Sequence, residues 1–195
     1  MKPLYLSLLC SLALLALSPA QAQQAHTATQ VATHPRPEQQ AMLQAELARL
    51  IEQFGDGVAE TYSGKPARIL YGQLFEEHKN DAVVLFSLEG FGGGNLHAEF
   101  VAFFAEQQQY DAAVRKARPY RLVAVGKLAQ RGWRTFDFDS ARIRNGMLIL
   151  DGMQMGPKDA NCCPSVAISR SLRIDEFDHM IETQAIAGKP SKAAK

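Results

Sequence analysis

Cys162 and Cys163 are neighbours in Asp159-Ala160-Asn161-Cys162-Cys163-Pro164-Ser165, and two adjacent sulfurs have three possible chemistries. They can join as a strained vicinal disulfide that stiffens the chain locally, remain unpaired thiols, or serve a redox or metal role. Successive α-carbons across a trans peptide lie about 3.8 Å apart, short of the roughly 4.4–6.8 Å of ordinary disulfides, so a bond between them is strained and readily reduced. As free thiols on an extended segment they point to opposite faces, and Pro164 favours that extension by keeping Cys163 out of the helical region. Neither a Cys-x-x-Cys redox motif nor a four-ligand zinc spacing accompanies them, so the three alternatives stay open.

The second chemical feature is Glu89-Gly90-Phe91-Gly92-Gly93-Gly94-Asn95-Leu96-His97. A phosphate-binding glycine loop needs a helix directly after the glycines, whereas a β-type run carrying His97, Glu99 and Phe100 follows here. The segment therefore reads as a bent hairpin loop. Its exposed backbone, with Phe91, Gly92, Gly93, Gly94, Asn95 and His97, is the expected partner-binding element.

Other groups lack company. His97 and Glu99 are two apart on one strand, as are Asp137 and Asp139, so each pair shares a face suited to a cation or a proton transfer. No third ligand is in register, and solvated strand faces are the plainer reading. Ser165 has no nucleophile-elbow context, and His78 and His179 have no assigned base partner. Gln73, Phe75 and Glu77 stand where a calcium loop would place oxygen ligands, and the turn glycine is missing. Trp133 is expected to be a core or cross-strand aromatic. The sequence assigns no catalytic residue, no metal site and no cofactor, so an enzyme is the less favoured reading.

These residues need elements to position them. The chain has 195 residues, 47% hydrophobic and 21% charged, which suits one ordinary domain. A formal charge of +1 without a basic stripe argues against a nucleic-acid partner. Residues 1–22 read as an export signal: Met1-Lys2, an apolar run from Leu4 to Leu17, and Ser18-Pro19-Ala20-Gln21-Ala22 at the cleavage site. The run falls short of the roughly 20 residues that span a bilayer, so no membrane span is expected after cleavage. Cys10 follows Leu9 rather than a small residue, which argues against lipid attachment there.

Residues 23–36, with His26 and His34, form a polar flexible leader. From Pro37, Leu43, Leu47, Leu50, Ile51 and Phe54 recur at helical spacing up to Gly55. After a connector over 55–67, β-type runs are expected at 68–75, 82–89, 97–105, 120–127, 133–144, 147–155 and 166–174, while 107–118 is ambiguous between helix and strand. Asn145-Gly146 marks a hairpin. Met147 to Leu150, apolar on both faces, suggests a central strand covered by the helix on one side. Phe177, Met180 and Ile181 suggest a short closing helix over 175–183, and 185–195 a disordered tail. The expected fold is α+β: an N-terminal amphipathic helix on a curved antiparallel sheet of about six or seven strands, with a short C-terminal helix, in a single domain over 37–184.

Three segments together carry a resemblance: Asp81 to Gly90 with Gly92-Gly93-Gly94-Asn95, Ile143 to Leu150, and Asp159-Ala160-Asn161-Cys162-Cys163-Pro164-Ser165. The chain resembles bacterial exported proteins and lipoproteins of the LppP/LprE type over about residues 68–178. The resemblance implies a small secreted α+β domain at the cell envelope and supplies no catalytic residue. Two functions follow as expectations. The first is a periplasmic or secreted, non-enzymatic binding or inhibitor-like module engaging another envelope protein. The alternative is a thiol/disulfide-dependent envelope redox factor using Cys162 and Cys163.

Overall fold

A computed structural model describes residues 37–76, 78–107 and 120–185. The expected signal, the leader with His26 and His34, residues 108–118 of the ambiguous run, Glu77 and residues 186–195 of the tail lie outside the described residues. The described residues belong to one unit, Val31–Lys195.

Helix α1 runs Pro37–Gly55. Proline suits the first helical position because its missing N–H would have no partner there, and Glu38 places negative charge at the positive end of the helix dipole. The helix ends where Asp56 and Gly57 turn to positive φ, 51° and 68°. Leu43 and Leu50 are fully buried, with Leu47, Ile51 and Phe54 packed beside them. Each fully buried leucine contributes about 2 kcal/mol.

Nine strands follow: β1 Glu60–Thr61, β2 Arg68–Gly72, β3 Asp81–Phe91, β4 Leu96–Glu106, β5 Tyr120–Gln130, β6 Arg134–Arg144, β7 Met147–Gln154, β8 Val166–Ile174 and β9 Met180–Gln184. Every pairing is antiparallel, in the order β1-β3-β4-β5-β6-β7-β8-β9, with β2 beside β1 on the free edge of β3. The β5–β6 junction is a single pair, Gln130 with Arg134, so the sheet divides there.

The second half covers the face of the first that α1 leaves bare. On β3, Ala82, Val84, Phe86 and Leu88 join α1 in one core. The alternate residues Val83 and Leu85 join Phe136, Phe138, Leu148, Leu150 and Leu172 of β6–β8 in another. The two-residue period of a strand thus explains the unbroken apolar run of β3: each half serves a different core. The strand pair buried on both faces is β3–β4, whereas Met147 to Leu150 belong to the layer on the far side from the helix.

These observations correct the expected fold class. The chain is a β-rich fold of nine antiparallel strands with one helix among the described residues, rather than an α+β arrangement with a second, C-terminal helix. Residues 175–183 fail as a helix because Asp175 Oδ1 accepts the N–H groups of Phe177 and His179, while Asp178 turns to φ 61°. That closes a hairpin, and Met180 and Ile181 then pair with Ile174 and Arg173. The strand count also rises because the connector holds β1 and the residues after the turn form β9. Asn145 and Gly146, at φ 51° and 71°, make the expected tight β6–β7 turn.

Candidate functional site

Strand direction sorts the loops into two groups. The end of α1, the β3–β4 loop, the β5–β6 turn and the β7–β8 loop gather at one end of the sheet, called here the loop end. The segment 73–80, the Asn145-Gly146 turn and the 175–179 turn lie at the other.

Cys162 and Cys163 are joined as a vicinal disulfide in the β7–β8 loop, with α-carbons 3.8 Å apart. Both residues are exposed. Asp159 shapes the loop around them: its Oδ2 accepts Gly156 N–H at 2.7 Å and Ser165 N–H at 2.8 Å, and its Oδ1 accepts the Ser165 hydroxyl at 2.7 Å. Led by the Gly156 N–H and the Ser165 hydroxyl, these donors hold the Asp159 carboxyl below its usual pKa against a smaller desolvation effect. Cys163 N–H also donates to Ala160 O at 2.9 Å, closing a turn across the pair.

The glycine loop lies at the same end. Gly90, Gly92 and Gly93 have φ of 98°, 65° and 74°, and Gly90 forms the bulge that lets Glu89 pair with His97 while Phe91 pairs with Leu96. Gly92, Gly93, Gly94 and Asn95 are exposed. Phe91 instead turns inward, 6.4 Å between ring centroids from Phe100, and His97 stacks at 5.5 Å on Tyr62. The sequence-chosen loop residues therefore divide into an exposed tip and two rings that anchor its base.

The β5–β6 turn links the two loops. Arg131 N–H donates to His97 O, and its guanidinium donates to Asn95 O at 3.4 Å. A Cβ on Gly132 would sit 3.8 Å from Asn161 O, one residue before the disulfide. Trp133 O accepts Met155 N–H at 2.9 Å. Trp133 is 44% exposed rather than core, and the Arg134 guanidinium lies 3.9 Å from its ring centroid. Arg134 is itself buried and locked, donating to both Glu182 oxygens at 2.5 and 2.7 Å and to Leu128 O at 2.6 Å. The exposed indole thus rests on a fixed cation.

More apolar surface is exposed at the same end. Val58, Leu96, Met153 and Val166 are between 41% and 57% exposed. Val58 O lies 3.5 Å from a Cβ placed on Gly90, and Val166 Cγ2 lies 3.1 Å from one placed on Gly156. With Trp133, these are five of the six large exposed hydrophobic residues among those described; the sixth, Phe177, lies in the β8–β9 turn at the opposite end.

The remaining sequence candidates are engaged in structure. Glu99 is buried, accepting Lys65 Nζ at 2.6 Å, the Thr135 hydroxyl at 2.5 Å and Phe136 N–H at 2.9 Å. Lys65 also donates to Phe136 O. Asp137 Oδ1 accepts Asp139 N–H at 2.9 Å within the bulge of β6, and Asp139 pairs with Arg68 at 2.5 Å. His78 finds a carboxylate in Asp81 at 3.1 Å, and His179 one in Asp175 at 3.4 Å, both at the end opposite Ser165. Ser165 donates its hydroxyl to Asp159.

A groove of about 470 Å³ between α1 and β2 is lined by Leu47, Ile51, Ile69 and Tyr71 together with Gln40 and Gln44. The Tyr71 hydroxyl is buried without a hydrogen-bond partner, and burial raises its pKa. Among the described residues no three His, Cys, Asp or Glu side chains stand close enough to hold a metal ion. No described helix is long and apolar enough to cross a membrane. Sequence reasoning had missed Arg134, Glu182, Lys65 and Asp159. Only Asp159 carried a local signal, an acid six residues ahead of Ser165 across a short Gly/Pro-bearing loop.

Comparison with known proteins gives no match among family models, curated proteins or solved structures.

Proposed function

We propose that this chain is an exported, non-enzymatic binding module that engages another envelope protein through the loop end of its sheet. The observation that carries the reading is Trp133: a large aromatic ring exposed on a locked arginine, with Leu96, Val58, Met153 and Val166 exposed at the same end. Apolar surface concentrated in this way costs solubility unless something covers it, and a ring already held in place loses little entropy on binding. Arg131, Asn95 and Lys158 give that end polar groups for the periphery of a contact. Export to the periplasm or beyond rests on the signal reading of residues 1–22 and on the resemblance to LppP/LprE-type proteins.

The test places a photo-crosslinking amino acid singly at Leu96, Trp133 and Phe177 in the full chain expressed in a bacterial envelope. Discrete adducts of one mass at Leu96 and Trp133, with none at Phe177, are expected. Equal background at all three positions would overturn the reading, because Phe177 is 69% exposed and samples collisions alone.

A further inference from the structure

We infer that Cys162–Cys163 is an exchange site for protein thiols, and that the partner docked at the loop end presents a cysteine pair to it. The inference rests on the docking reading for how the partner is held; the exchange chemistry rests on the disulfide itself.

Three observations argue against a purely structural purpose. A disulfide stabilises a fold chiefly by closing a loop of the unfolded chain, and one between neighbours closes the smallest loop available. Asp159 ties both ends of the segment through Gly156 and Ser165, and the Ala160–Cys163 hydrogen bond ties its middle, so the loop is held by hydrogen bonds besides the sulfur bridge. Finally, both cysteines are exposed, where a structural bridge would be shielded from attack. Val166 packs against the start of the loop, and Trp133 is hydrogen-bonded through its carbonyl to Met155, next to Gly156. Val166 and the Trp133 backbone thus stand at the base of the loop that carries the sulfurs.

A partner thiolate attacks one Sγ, the Sγ–Sγ bond breaks, and the other cysteine leaves as a thiolate that takes a proton from water. The partner's second thiolate then attacks the partner sulfur of the mixed disulfide, forming the partner's own disulfide and releasing the remaining cysteine. The partner is oxidised by two electrons, and Cys162 and Cys163 are reduced to two thiols. Each chain carries one such equivalent.

The test uses the full mature chain in its oxidised state. Reduction by dithiothreitol is followed by alkylation and intact mass, on the native chain and on the chain in guanidinium. The native rate is expected within about tenfold of the denatured rate, as for an open disulfide. A native chain that reacts only after unfolding overturns exchange, and so does protein from the envelope whose two cysteines alkylate without reductant. A second arm compares two reduced dicysteine peptides, one with apolar and one with polar flanks. The apolar peptide is expected to react about tenfold faster, and Leu96→Ser with Trp133→Ser to bring the ratio toward one, while Phe177→Ser keeps it. Rapid reduction by dithiothreitol with no preference between peptides upholds the exchange site and overturns the docking face as its means of selection.

Discussion

Asp81 and Asp159 stand at opposite ends of the sheet, and each gathers N–H donors onto one carboxylate. Asp81 is 0% exposed and accepts Leu74 N–H and Phe75 N–H at 2.9 and 3.0 Å, Glu106 N–H at 2.9 Å, and His78 Nδ1 at 3.1 Å. It ties the β2–β3 connection to the end of β4 before the chain enters its most buried strand. Asp159 makes a similar set of bonds, but around an exposed loop that carries two sulfurs. Burial separates the two devices. A carboxylate stripped of water must keep all its donors or destabilise the fold, whereas a solvated one can release them at little cost. One end of the molecule therefore holds a buried latch and the other an exposed clamp around two sulfurs.

The largest effect tests the latch. Asp81→Ala leaves three half-buried backbone N–H groups without this acceptor and is expected to cost about 3 kcal/mol. Urea unfolding should show a lower midpoint with an unchanged slope. A midpoint like that of the unaltered protein would mean that water reaches these donors and that the two ends do not differ as argued.

Next comes the ion pair beneath the loop end. Lys65→Met strands the buried Glu99 carboxylate with only Thr135 and Phe136 as donors, for an expected loss of about 3 kcal/mol. Replacing both members, Lys65→Met with Glu99→Leu, should recover part of that loss, because removing a buried charge outright is cheaper than orphaning it. A double variant less stable than the single one would show the pair to be a net stabiliser of the junction between β4 and β6.

Legibility from sequence follows the same division. Local periodicity was enough for α1, for the β6–β7 turn at Asn145-Gly146 and for the span of β8, since each depends on neighbours in the chain. The closing helix failed because Asp175 captured the N–H groups that a helix would have used, a side-chain competition that apolar spacing at Phe177, Met180 and Ile181 cannot reveal. The Met147–Leu150 run was assigned to the wrong layer because an apolar strand does not say which core it faces. At the site, the cysteines and glycines stood out by type. Their common end, and Trp133 as the group between them, came from strand direction, which one sequence does not encode locally. Arg134 and Glu182 were invisible for the same reason: their bond spans 48 positions.

The Asp159 clamp supplies a smaller, pH-dependent test of the reactive end. Its folded carboxyl lies below the ordinary aspartate value of 3.8 because Gly156 N–H, the Ser165 hydroxyl and Ser165 N–H favour the charged form. The clamp's contribution is therefore complete above the ordinary carboxylate range and is lost as pH falls through the lowered, folded value. The Ser165 amide resonance should titrate with a midpoint below 3.8, and Asp159→Asn should abolish the transition. A midpoint above that value would show that desolvation outweighs the donors, and would bring Asp159 closer in character to Asp81.

The smallest expected change is the most informative about the sulfurs. Replacing both cysteines, Cys162→Ser with Cys163→Ser, removes a covalent bond yet should shift global stability by no more than about 1 kcal/mol, since loop-closure stabilisation is least for adjacent residues. Paired urea curves on oxidised and doubly substituted protein measure it. The serines also keep the backbone turn from Cys163 N–H to Ala160 O and leave Asp159 its donors, so the comparison isolates the disulfide from the loop that carries it. A loss above about 2 kcal/mol, the scale of a native structural disulfide, would place the pair with Asp81 among the parts that hold the fold together and end its reading as an exchange site. A negligible loss leaves a strained, exposed bond with no structural debt, free to be broken and remade while the sheet beneath it stays folded.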